Sequence, residues 1–260
     1  MLGKTETHLR DRLRNDGPLH MTLIDPEKVD LSTIGSLAQQ VERAGTAAIM
    51  VGGSTMASSR DLDAVVKIIK ENTRIPVILF PNNVSGISPY ADAIWFMSLI
   101  NSNDPYFLIG AQALGGPLVK KYNLEAIPMG YIIVGTGGAA GLIGRANWIP
   151  YDRPEIAAIF ALAAQYLGMR FVYLEAGSGA KEPVPQSMVS AVRDTIDCNL
   201  IVGGGIRDGE VAMELAEAGA DIIVTGTLVE ENQDASKIRE IVDCLRKVKR
   251  RTQSSPHYVF

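Results

Sequence analysis

NLIVGGGIRDGEVAMELAEAGADIIVTGT, residues 199–227, holds one complete unit of the fold. The apolar run NLIVGGGI (199–206) breaks off through three glycines. GEVAMELAEAG (209–219) then places apolar side chains at helical spacing and ends on a glycine, where a helix stops. A second apolar run, DIIVTGT (221–227), completes the unit. Two near-continuous apolar strands joined by an amphipathic helix lie parallel, with the helix covering the sheet. The end of the unit has an echo far upstream: AGTAAIMVGG (44–53) and AGADIIVTGT (218–227) share Ala-Gly-x-x-x-Ile-x-x-Gly.

The same alternation runs through the chain. Strands are expected at 19–26, 47–53, 75–82, 92–100, 126–135, 171–177, 199–206 and 221–227. Helices are expected at 31–45, 61–72, 154–168, 185–196, 209–219 and 234–251. Between the third and fourth strands, NVSGISPYADA is too short and too rich in Gly and Pro for a helix, so 82–92 reads as a loop or a single turn. The fold class that follows is α/β: a (β/α)8 TIM-type barrel of parallel strands whose third helix is replaced by a loop. One domain is expected over 1–250, followed by a loose tail at 251–260.

With 47% hydrophobic and 21% charged residues, the chain has the composition of a globule with a sizeable core. A net charge of −4 argues against a nucleic-acid partner. Cys198 and Cys244 lack metal spacing and read as reduced packing residues. The opening segment is polar rather than signal-like, and the apolar runs are too short to span a bilayer. A soluble, cytoplasmic protein is expected.

In such a barrel the reactive residues gather where the strands end. Asp25 ends the first strand, and Gly52, Gly53, Ser54 and Thr55 end the second. The sixth ends in Glu175 and Gly177-Ser178-Gly179, the seventh in Gly203, Gly204 and Gly205, the eighth in Gly226 and Thr227. The last three loops read either as a nest of backbone N–H groups around a phosphate or as turns that need positive φ. Asp25 reads as a turn carboxylate before Pro26, or as one ligand of an Mg²⁺ shared with substrate phosphates. Glu175 shares a strand face with Tyr173 and Phe171, so it is either a buried structural carboxylate or a base or hydroxyl anchor at the barrel mouth. No strand places a lysine beside it, and Arg145, in the long loop 136–150, is the basic side chain positioned to reach it. His20 enters the first strand from the opposite end and reads as structural.

Five blocks in order, TLIDPEK (22–28), VGGST (51–55), YLEAGSGA (173–180), VGGGIR (202–207) and VTGT (224–227), resemble the geranylgeranylglyceryl phosphate synthase family. The resemblance runs from about residue 8 to 250. A largely bacterial branch of that family carries a lysine two residues before the metal-binding aspartate; Leu23 stands there, so the chain resembles the archaeal-type branch.

The resemblance implies a prenyltransferase of lipid biosynthesis that joins a geranylgeranyl group from its diphosphate to the 3-hydroxyl of sn-glycerol 1-phosphate. Asp25 and Ser54 would hold Mg²⁺. Tyr173, Leu174, Glu175, Ala176, Gly177, Ser178 and Gly179 would receive glycerol phosphate, with Gly204, Gly205, Gly226 and Thr227 around its phosphate. Glu175 would take the proton of the attacking hydroxyl. It also implies a homo-oligomer.

FPNNVSG (80–86) and GYIIVGTGGAAG (130–141) are candidate walls for the prenyl chain. The basic run RKVKRR (246–251) reads as a solvated helix end or as a contact with an anionic membrane surface. The rival readings are another phosphate-binding barrel enzyme, an aldolase or isomerase, and a barrel that binds a phosphometabolite without chemistry.

Overall fold

The computed structural model describes residues 2–53, 59–226 and 235–248. Eight parallel strands close in chain order: β1 Leu19–Ile24, β2 Ala48–Val51, β3 Val77–Leu79, β4 Ala93–Leu99, β5 Glu125–Ile133, β6 Phe171–Glu175, β7 Asn199–Gly203 and β8 Ile222–Thr225. Closure is made by β8 against β1, with Leu19 opposite Ile222 and Thr22 opposite Thr225. Each strand is no longer than the apolar run that announced it, because the glycines and polar residues at its end peel away into loops.

Alternation sorts the side chains into two layers. Phe171 and Tyr173 of β6 point inward and pack with Met21, Met50, Trp95 and Met129. Val172 and Leu174 point outward, against Ala157, Ala161 and Val189 of the helix layer. Large side chains buried in this way each contribute about 1.5–3 kcal/mol, so a one-residue slip of β6 would bring Glu175 into the helix layer at severe cost.

The helices are α1 Lys4–Asp16, α2 Ile34–Ala44, α3 Ser59–Asn72, α4 Ala111–Lys121, α5 Gly138–Ile143, α6 Pro154–Tyr166, α7 Gln186–Thr195, α8 Gly209–Ala218 and α9 Ser236–Leu245. Gly45 stops α2 in the left-handed conformation, φ 102°. Asp208 starts α8 by accepting the Val211 N–H at 2.9 Å. Between β3 and β4 stands a single 3-10 turn, Val84–Gly86, as the loop reading expects.

Three helices were not expected. α1 looks polar in sequence, yet Leu9 and Leu13 bury completely in the inner core. It closes the floor of the barrel: Glu125, first residue of β5, accepts the N–H groups of Thr5 and Glu6 at 2.7 and 2.9 Å. α4 follows a π-helical turn, Tyr106–Gly110, and tolerates Gly115, Gly116 and Pro117, residues that disguise it. α5 lies within the stretch read as the long loop 136–150.

His20 is structural as expected. It is buried in β1 between the hydroxyls of Thr46 and Thr225, both 2.9 Å away, and burial pushes its pKa down to about 3. Among the described residues no helix is long and apolar enough to cross a membrane. The expected tail, 251–260, lies outside the described residues, as does RKVKRR beyond Val248.

Candidate active site

One cavity of about 610 Å³ opens at the C-terminal ends of the strands. That is within the range of small-molecule sites, roughly 300–1,000 Å³. Asp25, Gly52, Gly53, Glu175, Ser178, Gly179, Gly204, Gly205 and Gly226 all line it. Segments far apart in the chain therefore share one chamber. Ser54, Thr55 and Thr227 lie outside the described residues.

Asp25 follows β1 and is 6% exposed. Its backbone carbonyl accepts the Lys28 N–H at 3.1 Å and its Oδ1 accepts the Glu27 N–H at 3.1 Å, so the DPEK turn folds back over the carboxylate. Lys28 Nζ stands 3.5 Å from Oδ2. Gly53 passes so close that any Cβ there would collide with the carboxylate.

Glu175, also 6% exposed, ends β6 on the inward face. The Tyr131 hydroxyl donates to Oε2 at 3.2 Å and the Gly177 N–H donates to Oε1 at 2.6 Å. The phenol of Tyr173, on the same inward face, also favours its charged form. Burial pushes its pKa up; these three donors oppose the rise without cancelling it. No basic side chain among the described residues pairs with it. Arg145 does not reach in: it pairs with Asp104 at 3.3 Å and is largely exposed.

An aromatic wall supports the carboxylate. Phe80 stacks on Tyr173 with ring centroids 5.6 Å apart and meets Tyr131 edge-on at 5.4 Å. Next to it the β6 and β7 loops touch. Gly177 and Gly204 adopt φ of 108° and 86°, and a Cβ on Gly204 would strike both Glu175 Oε1 and the Gly177 backbone. Glycine is required there by the close approach as well as by the dihedral.

Not every expected binding residue turns toward the cavity. The side chains of Leu174 and Ala176 belong to the helix-side core, and the Gly177 N–H is already committed to Glu175. Backbone groups at Ser178, Gly179, Gly204, Gly205 and Gly226 remain along the cavity wall. Lys28 and Arg207, which also line the cavity, were not expected as site residues; Phe80 and Tyr131 were expected only as members of the two wall segments, not as supports of Glu175. Tyr131 was legible in principle, since it shares a face of the strand with Ile133 and Met129.

The remainder of the cavity wall is mostly apolar, with Asn82, Asn83 and Gln112 among it, and includes the β3–β4 connection where the third helix is missing. Phe80–Val84 and Ile87 form one side, while Ala111, Gly115 and Val119 of α4 face them. Ala140 and Ile143 of α5 extend the wall. Both expected wall segments contribute; α4 is the addition.

Among the described residues no cluster of three or more His, Cys, Asp or Glu could hold a metal. Asp25 alone, pressed against the end of β2, suits Mg²⁺ of the kind held by one or two carboxylates together with substrate phosphates.

Residues 10–245 match the PcrB family. The chain belongs to that family. Over 246 residues it is 55% identical to the geranylgeranylglyceryl phosphate synthase of Pyrococcus furiosus, covering 95% of this chain and 98% of that one. The synthase of Thermofilum pendens is 51% identical over 242 residues, 93% of each chain. Among solved PcrB-type structures, the synthase of Thermoplasma acidophilum, in complex with its substrate sn-glycerol-1-phosphate, superposes with a TM-score of 0.90 at 43% identity. That match covers 95% of this chain and all of the other. This PcrB-family chain is an enzyme of the geranylgeranylglyceryl phosphate synthase group.

Proposed function

We propose that the chain transfers a geranylgeranyl group from its diphosphate to the 3-hydroxyl of sn-glycerol 1-phosphate, in an Mg²⁺-dependent reaction that forms an ether bond. The observation that carries this reading is Glu175: a buried carboxylate with no cationic partner among the described residues, next to a glycine-lined rim and facing a chamber whose far wall is mostly apolar. The relatives' name and the substrate bound in the Thermoplasma acidophilum structure point the same way.

In this reading the acceptor's phosphate lies against the backbone of Ser178–Gly179, Gly204–Gly205 and Gly226, with Thr227 as a further contact. Anchoring that end fixes which hydroxyl faces the donor. Glu175, held by Tyr131, Tyr173 and the Gly177 N–H, accepts the proton of the 3-hydroxyl as its oxygen bonds to the allylic carbon. The carbon–oxygen bond to diphosphate breaks and the electron pair leaves with the diphosphate. Mg²⁺, with Asp25 and Ser54 as its protein ligands, would supply the charge neutralisation that makes diphosphate a leaving group. The prenyl chain occupies the mainly apolar stretch between Phe80–Val84 and α4.

An aldolase of the Schiff-base type needs a desolvated lysine in the lumen. Among the described residues the one lysine on the cavity wall, Lys28, is half exposed at the rim and paired with Asp25.

The test is transfer of radiolabelled sn-glycerol 1-phosphate into an organic phase, with prenyl diphosphates of several lengths, with and without Mg²⁺. Transfer is expected with geranylgeranyl diphosphate and metal, and Asp25→Ala is expected to raise the Mg²⁺ requirement. No transfer with any donor, or transfer indifferent to EDTA, would overturn the reading.

A further inference from the structure

The charged side chains lining the cavity are Asp25, Glu175, Lys28 and Arg207, so the described lining carries two charges of each sign. The two cations stand at different places. Arg207 follows the Gly203–Gly205 segment of β7, on the side of the glycine rim. Lys28 follows β1 and reaches back over Asp25, because the turn from Asp25 to Lys28 is closed by the 3.1 Å bonds already described. Its ammonium is 3.5 Å from Asp25 Oδ2, longer than the 2.7–2.9 Å of a direct charge-assisted hydrogen bond, and its side chain is half exposed on the cavity wall. Arg145, placed near the mouth by its loop, pairs with Asp104 instead.

We propose that Lys28 binds the diphosphate of the prenyl donor and stabilises it as it leaves. The inference rests on the prenyl-transfer reading and adds a residue to it. A diphosphate ester carries more negative charge than one Mg²⁺ neutralises, and Asp25 adds to the excess; Lys28 supplies the missing positive charge at that location. Lysine is a compact point charge with three donors on a flexible stem, suited to oxygens that shift as the ester bond lengthens. The negative charge on the bridging oxygen grows as the bond to the allylic carbon breaks, so the contact strengthens toward the transition state.

Calorimetric titration with inorganic pyrophosphate plus Mg²⁺, and separately with sn-glycerol 1-phosphate, is performed on the wild type, Lys28→Met and Lys28→Arg. Loss of one charge-assisted contact is expected to weaken pyrophosphate binding by roughly 10–100-fold in Lys28→Met, with Lys28→Arg within a few-fold of wild type. Glycerol phosphate affinity and the thermal midpoint should stay unchanged, and KM for the prenyl diphosphate should rise while KM for glycerol phosphate does not. Wild-type pyrophosphate binding that Lys28→Met retains overturns the proposal and leaves the transfer reading intact. Equal weakening toward both ligands overturns it too, as a general field effect. Absence of pyrophosphate binding in the wild type overturns the prenyl-donor reading itself.

Discussion

The two ends of the barrel each bury a glutamate, and the two are built in opposite ways. On the floor, Glu6 of α1 is 0% exposed and accepts from Arg170 at 2.6–2.9 Å and from Arg10 at 2.9 Å. Burial alone would raise its pKa, but the two guanidinium groups outweigh burial and hold it below the ordinary value. At the mouth, Glu175 is almost as buried, yet among the described residues two phenols and one backbone N–H are what favour its charge, and burial wins. A paired carboxylate is a structural clasp; one kept without a cation is ready to take a proton. In the proposed reading, similar burial with opposite partners separates stability from chemistry within one barrel.

Replacing each glutamate separately breaks the comparison in distinct ways. The largest effect is expected from Glu175→Gln, with turnover falling by roughly 10²–10⁴, the range for loss of a general base. Glycerol phosphate affinity should stay within a few-fold, as measured by calorimetry alongside single-turnover transfer. Glu6→Gln should leave turnover near wild type but lower stability by about 2–3 kcal/mol, the scale of lost hydrogen bonds to charged groups. Differential scanning calorimetry would show this as a drop of several degrees in Tm. Turnover lost in Glu6→Gln with Tm unchanged would erase the distinction.

The smallest effect has the opposite sign. A glutamate whose folded pKa is raised above its unfolded value favours the fold below the unfolded pKa and loses that contribution as pH rises through the folded pKa. Above its raised folded pKa an ionised Glu175 therefore weakens the barrel, and in that range Glu175→Gln should raise Tm slightly, by about 2–4 °C per kcal/mol recovered. A fall in Tm would mean that the three donors depend on the full negative charge.

Much of this contrast is legible in the sequence at the mouth and almost none at the floor. Glu175 interrupts an apolar run and is followed by Gly-Ser-Gly, which marks a polar group at a strand end. Asp25 and the glycines of β7 and β8 stand out in the same way, because strand ends converge by a general rule of the barrel. Glu6 carries no such mark. It sits in a charged helix, and its clasp depends on Arg170, 164 residues away. Arg145 shows the limit from the other side: sequence places it near the mouth, but Asp104 takes it. α4 was hidden by Gly115, Gly116 and Pro117, since tertiary packing overrides local propensity there. Tyr131 was foreseen only as part of a wall segment, because a tyrosine within a strand signals packing far more often than support for a carboxylate.

The most direct test is a ¹³C NMR titration of glutamate side-chain carboxyls in the ligand-free protein, with Glu175→Gln and Glu6→Gln used to assign the two signals. The account predicts that Glu175 titrates above the ordinary glutamate value of 4.5 while Glu6 stays ionised below it. Coincident titrations, or Glu175 ionised to a lower pH than Glu6, would contradict it.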